Sequence, residues 1–239
     1  MSKKVINQKS NYETELLNSI DSNFVFNEEP INRLKNDYFA LKIESTQKTK
    51  ELDHLRNEIS SIEDCSLKNN SKKIILGDGN INSSIMIVGE APGIEEDKLG
   101  TTFVGEAGEL LKKMLIAIDI KKENIYSTYA VNFRPPEDRK PTSVEIKRYS
   151  SYLKKHISII KPKIIILMGS TAMESLTGLN NKISIERGQW KESIIKNITY
   201  NIIITFNPSY ILRTPENKKY SWEDLKKIKQ KIKDLNIII

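Results

Sequence analysis

Cysteine and histidine are nearly missing: the 239 residues hold one of the first and two of the second. Cys65 therefore has no partner for an internal disulfide, and a lone thiol holds no structural metal. With only His54 and His156, a histidine-rich catalytic or metal centre is excluded. Long apolar runs are missing as well. Stretches such as Ile164 to Met168 fall far short of the ~20 residues of a membrane span, and the opening MSKKVINQKSNYE carries no apolar signal core. These absences predict a soluble, cytoplasmic protein with no membrane contact.

What is present is apolar material for a sizeable core, 38% of residues, in one domain with an extension or in two small domains. The net charge of +7 is uneven. Residues 1–80 carry 12 Lys and Arg against 13 Asp and Glu, whereas residues 81–239 carry 26 against 18. A basic second part suits a polyanion, whose displaced counterions drive binding. It equally suits a lysine-rich solubilising surface, and composition leaves both open.

Residues 1–60 are polar, with Leu52, Leu55 and Ile59 at helical spacing. They are expected to form helices or a partly mobile arm ahead of a domain over residues 61–239. From Ile74 short apolar runs alternate with amphipathic stretches, and four core strands are predicted: Ile85 to Val88, Ile125 to Val131, Ile164 to Met168 and Ile202 to Phe206. Ala107, Leu110, Leu111, Met114, Leu115 and Ile118 draw one apolar stripe on a helix over 106–118. TSVE, from Thr142 to Glu145, is a capping-box pattern opening a second helix that Pro162 ends. Residues 170–177 give a third helix, and Trp222, Leu225, Ile228, Ile232 and Leu235 stripe the last. Strands alternating with helices predict a three-layer α/β/α fold around a central, mostly parallel four-stranded sheet.

In such sheets ligands bind beyond the carboxyl ends of the strands. There the chain delivers GEAPG at 89–93, RPPEDR at 134–139, MGST at 168–171 and NPSYILR at 207–213. GEAPG alone is either an ordinary tight turn or an anion cradle. It lacks the Lys and Ser or Thr of a Walker loop and the third glycine of the dinucleotide pattern. The acids that follow, from Glu90 to Asp97, are either solvated carboxylates or members of a site.

Taken in order and spacing, GEAPGIEEDKLGTTFVGEAGELL, FRPPEDRKPTSVEI, MGSTA, the Arg187–Gly188 pair, NPSYILR and the closing W-x-x-L resemble the family 4 uracil-DNA glycosylases over about residues 60–235. The resemblance implies a uracil-DNA glycosylase-like fold with an N-terminal helical extension, and an activity in base excision repair. Uracil or a related deaminated base would be flipped from single- or double-stranded DNA and its N-glycosidic bond hydrolysed. The implied catalytic residues are Glu90, orienting water or stabilising the sugar cation, and Asn207, donating to uracil O2. Glu96 would stand beside uracil C5 and exclude a thymine methyl. Phe103 is implied as the ring that stacks on the base; on burial alone it reads as a core aromatic. Gly89, Ala91 and Tyr129 complete the implied base pocket. NPSYILR would be a loop entering the DNA minor groove, with Ser209, Tyr210 and Arg213 on the DNA and Ile211 and Leu212 as apolar wedges; the other reading packs Ile211 inward. Arg134 and Arg139 either contact the DNA backbone or pair with Glu137 and Asp138. A monomer associated with the nucleoid is implied, with no metal site.

The sequence departs from the family in three places. The family holds a 4Fe-4S cluster on four cysteines; here only Cys65 is kept, with Ile62, Phe133 and Tyr149 at the other positions, and no cofactor is expected. Tyr129 stands where the family has an asparagine that pairs with the uracil edge, and Asn132, at an odd offset along a strand, points to the opposite face. Asn207 replaces a histidine and keeps a donor. A catalytically impaired, DNA-binding or lesion-sensing relative on the same fold is the alternative that these departures leave open.

Overall fold

In the computed structural model, residues 33–238 are described, with side chains from Ile43 onward. The expectation for the residues before 33 lies outside them. From Ile43 on, the chain forms one compact unit.

The four expected strands are present as β2 (Ile85–Gly89), β3 (Tyr126–Tyr129), β4 (Ile164–Met168) and β6 (Ile198–Thr205). They lie parallel in the order β3-β2-β4-β6. The sheet has six strands rather than four, because β1 (Asp78–Gly79) and β5 (Trp190–Ile195) add antiparallel edges to β3 and β6. Two residues of β1 carry no period to read. In β5, alternation puts Ile194 in solvent, so no apolar run marks it.

Neighbouring side chains of each inner strand go to opposite faces. Met86, Val88, Ile165, Leu167, Ile202 and Ile204 enter one core, and Ile85, Ile87, Ile164, Ile166 and Ile203 the other. Burial on both faces is why these strands read as unbroken apolar runs. The first face is covered by the part of α1 (Arg33–Ser60) that carries Leu52, Leu55 and Ile59, by α2 (Ser66–Asn70), α5 (Ser143–Ile160) and α6 (Ser170–Thr177), and the second by α4 (Gly105–Ile116), α8 (Pro208–Arg213) and α9 (Lys218–Asp234). Short helices α3 (Ile94–Leu99) and α7 (Ile183–Glu186) lie in connections. This is the predicted three-layer α/β/α arrangement.

Local signals act where the sequence placed them. Leu52, Leu55 and Ile59 of α1 are buried, and the ammonium of Lys48 donates to the Ile160 carbonyl at 3.3 Å and to Asn82 Oδ1 at 3.2 Å. Thr142 and Glu145 cap α5 reciprocally, Glu145 N to Thr142 Oγ1 at 3.3 Å and Thr142 N to Glu145 Oε2 at 2.7 Å. One apolar expectation fails. Trp222 is 45% exposed, because the buried stripe of α9 runs through Ser221, Leu225, Ile228 and Ile232 and leaves it at the edge. Asp224 is buried on that turn instead.

Candidate active site

The parallel register fixes which loops meet. Val88 lies opposite Leu167, and Leu167 opposite Ile204, so the segments after β2, β4 and β6 leave the sheet side by side. A cavity of about 860 Å³ opens there, and Glu90 from the first loop and Asn207 from the last both line it, with Phe103, Tyr129 and Ser170 between them. Of the expected site residues, Ala91, Glu96, Arg139, Ser209, Tyr210, Leu212 and Arg213 also line the cavity. Gly89, Arg134 and Ile211 do not.

Three of the four crowded acids after β2 accept hydrogen bonds. Glu90 Oε2 accepts from Thr171 Oγ1 at 2.8 Å. Glu96 closes α3 by accepting from Gly93 N at 3.0 Å, and it also accepts from Val104 N at 3.2 Å and from the Tyr129 hydroxyl at 3.3 Å. Asp97, which nothing in the sequence marks as structural, is buried and accepts from Ser71 Oγ and from the backbone amides of Lys72 and Lys73. Glu95 lies against Gly105, at the amino end of α4, where the helix dipole favours a carboxylate.

Phe103 adopts a φ of 49°, a conformation uncommon outside glycine. It is held there from two sides. Its amide donates to the Tyr129 hydroxyl at 2.8 Å, and its carbonyl passes so close to Gly108 that a Cβ there would come within 1.9 Å of the oxygen. Gly89 supplies the clearance beneath: a Cβ on it would stand 2.7 Å from the Tyr129 ring and 2.8 Å from the tip of Phe103. Phe103 is thus a packed aromatic, 7% exposed, that still presents surface to the cavity. Burial first, and then the charge of Glu96, push the Tyr129 hydroxyl well above the ordinary tyrosine range, so this group stays protonated.

At the opposite wall, NPSYILR is a short helix and not a loop. Asn207 is its N-cap, accepting Ser209 N at 3.0 Å on Oδ1, and Pro208 occupies the first turn. The cap engages the amide oxygen and leaves Nδ2 as the donor. Asn-Pro-Ser is a local helix-start signal, so the helix, unlike the expected loop, is written in the sequence itself. Helix formation also decides the wedge pair: Ile211 is 1% exposed and belongs to the second core, whereas Leu212 and Tyr210 are each 38% exposed. Ile211 is therefore no wedge.

Behind this helix, Arg187 makes a fork to the fully buried Asp224, at 3.0 and 2.6 Å, and stacks 5.7 Å from the Phe206 ring centre. Burial raises the Asp224 carboxyl above its usual range, against the pull of Thr205 and Arg187. The paired arginines divide differently from expectation. Arg134 pairs with Asp138 at 2.7 and 3.0 Å, as one reading had it, but Arg139 forks onto Glu145 at 2.9 and 2.8 Å. Asn132 faces away from the cavity and donates to the Ile75 carbonyl at 3.0 Å.

Where the family carries its iron-sulfur cysteines, Cys65 Sγ lies 3.3 Å from the Tyr149 hydroxyl, Phe133 meets Tyr149 edge-on, and Ile62 packs on the same core. One thiol among apolar and aromatic side chains does not fit a four-thiolate cluster. Among the described residues, no helix is long and apolar enough to cross a membrane.

The domain sets a carboxylate, Glu90, and an amide donor, Asn207, on one cavity beyond the carboxyl ends of its strands, the place where sheets of this kind bind ligands. The chain matches the family model of the uracil DNA glycosylase superfamily over residues 76–228. It is 38% identical over 176 residues to the type-4 uracil-DNA glycosylase of Thermotoga maritima, covering 71% of this chain and 88% of that protein. It is 33% identical over 181 residues to the type-4 enzyme of Archaeoglobus fulgidus, covering 74% and 91%. The chain belongs to the uracil DNA glycosylase superfamily.

Proposed function

We propose that this protein is a uracil-DNA glycosylase of base excision repair, acting on uracil flipped from DNA into the cavity. The observation that carries this reading is that Glu90 and Asn207, 117 positions apart in the chain, line the same cavity beside Phe103. The type-4 names of its relatives support it.

In this reading the extruded base lies against Phe103, a contact worth ~1–3 kcal/mol that offsets part of the cost of unstacking. The bond between C1′ and uracil N1 breaks with its electron pair leaving on the base. Asn207 Nδ2–H donates to uracil O2, where negative charge collects, and the Ser209 cap holds the amide in the orientation that presents this donor. Glu90 stabilises the oxocarbenium-like sugar and orients the water whose oxygen bonds to C1′ and whose proton is released. Gly89 and Tyr129 support the floor, Ala91 lines it, and the Glu96 clasp fixes the wall beside uracil C5. Leu212 and Tyr210 would enter the DNA stack, while Arg139 and Arg213 would neutralise phosphate. The work is done by a monomer without an iron-sulfur cluster, in a cytoplasm where DNA is at hand.

Incubation with uracil-containing oligonucleotides, single-stranded and mismatched, followed by alkali, tests the reading. Strand breaks at uracil are expected. Intact strands at high enzyme excess, with DNA still bound, would leave a binding protein in its place.

A further inference from the structure

Glu90 and Thr171 meet because two strand ends are neighbours. With Val88 opposite Leu167, the residues two positions on, Glu90 and Gly169, leave the sheet together. Gly169 turns the chain with a φ of 100°, and Thr171 falls in the first turn of α6. There Thr171 is 3% exposed, and its Oγ1 donates to Glu90 Oε2 at 2.8 Å. Thr171 is the one side chain among the described residues that donates to this carboxylate, and Glu90 itself lines the cavity.

We infer that Thr171 is a positioning residue for the glycosylase reaction: its buried hydroxyl fixes the rotamer of Glu90 so that one carboxylate oxygen is held by the protein and the other faces sugar and water. The inference rests on the glycosylase reading of the site. A hydroxyl donating to a carboxylate is a charge-assisted bond, directional and stronger than a neutral one. A glutamate otherwise rotates freely about three side-chain bonds, and misplacing a catalytic group by about 1 Å can cost on the order of 100-fold in rate. The donor sits out of water, on a helix locked to the neighbouring strand, which is what fixing a rotamer requires.

The test is the steady-state release of uracil from a single-stranded oligonucleotide by full-length protein. Thr171→Val keeps the side-chain shape and removes the donor. It is expected to lower kcat about 10- to 100-fold while KM stays within about twofold, and Thr171→Ser, which keeps the donor, is expected to recover most of the loss. In a Glu90→Gln background the same Thr171→Val change should alter kcat by less than about twofold, because the residue it acts through is already altered. Should Thr171→Val fold poorly by thermal denaturation, Thr171→Ala is read in the same cycle. An active wild type matched in kcat by Thr171→Val overturns the inference alone, as does a Thr171→Ser variant no better than Thr171→Val, or full additivity with Glu90→Gln. A wild type that releases no uracil overturns the glycosylase reading and this inference with it.

Discussion

The Tyr129 hydroxyl stands 3.3 Å from the Glu96 carboxylate, and the same oxygen accepts the amide of Phe103 at 2.8 Å. One phenol therefore ties the end of β3 to α3 and to the segment carrying the proposed stacking ring. A tyrosine at this position does not plug the cavity; it lines it and holds two of its walls together.

Removing that hydroxyl is the first test. Tyr129→Phe keeps the ring over Gly89 and leaves the Phe103 amide, in its left-handed conformation, without an acceptor. A loss of about 1–3 kcal/mol is expected in urea unfolding, with slower uracil release as Phe103 loses its seat. A variant equal to the parent in both measurements would show that the clasp holds nothing.

The two apolar residues of α8 should separate by role. Ile211→Ala empties a core position and is expected to cost about 2–5 kcal/mol of stability. Leu212→Ala changes an exposed side chain, so stability should stay within about 0.5 kcal/mol while release from duplex DNA falls. Thermal denaturation beside a duplex assay reads both; the reverse pattern would restore Ile211 as the wedge.

Stability should fall in mild acid through His156, which is buried with its ring 2.9 Å from the Tyr126 hydroxyl. Burial, aided by the charge of Arg56, lowers its pKa to about 3 from 6.5. Below about pH 6.5 the unfolded chain takes up a proton that the folded chain refuses, so this contribution is lost as pH drops toward 3, by roughly 1.4 kcal/mol per pH unit. His156→Gln should remove that slope whatever its own cost. Urea unfolding midpoints across pH 4–8 check it, and an unchanged slope in the variant would place the acid sensitivity elsewhere.

Iron content follows from the packing around Cys65. The purified protein should be colourless, with iron far below one cluster per chain, since three of the four positions offer no thiolate. Stoichiometric iron by metal analysis would contradict this.

Most of the scaffold could be read from the sequence because its signals are local and repeated. Ser170–Thr177 matches the expected third helix, and the inner strands announce themselves by burial on both faces. What escaped depends on distant partners. Thr171, Asp97 and Asp224 look like ordinary surface residues in the chain; they become buried only because their partners, Glu90, the 71–73 backbone and Arg187, arrive from other elements. The Asn207 cap was local and legible, since a strand end followed by Asn-Pro-Ser opens a helix. The resemblance drew attention to a loop, and that helix, by burying Ile211, is what separates it from Leu212.

The most direct measurement is single-turnover uracil release by the parent, Glu90→Ala and Asn207→Ala proteins, with DNA affinity followed by fluorescence anisotropy on the same oligonucleotide. If the two residues act on one extruded base across one cavity, each variant should bind DNA within about threefold of the parent and lose at least about 100-fold in rate, in line with the cost of removing one transition-state contact. Parent-like rates in either variant, or a loss of DNA binding that accounts for the whole effect, would contradict it.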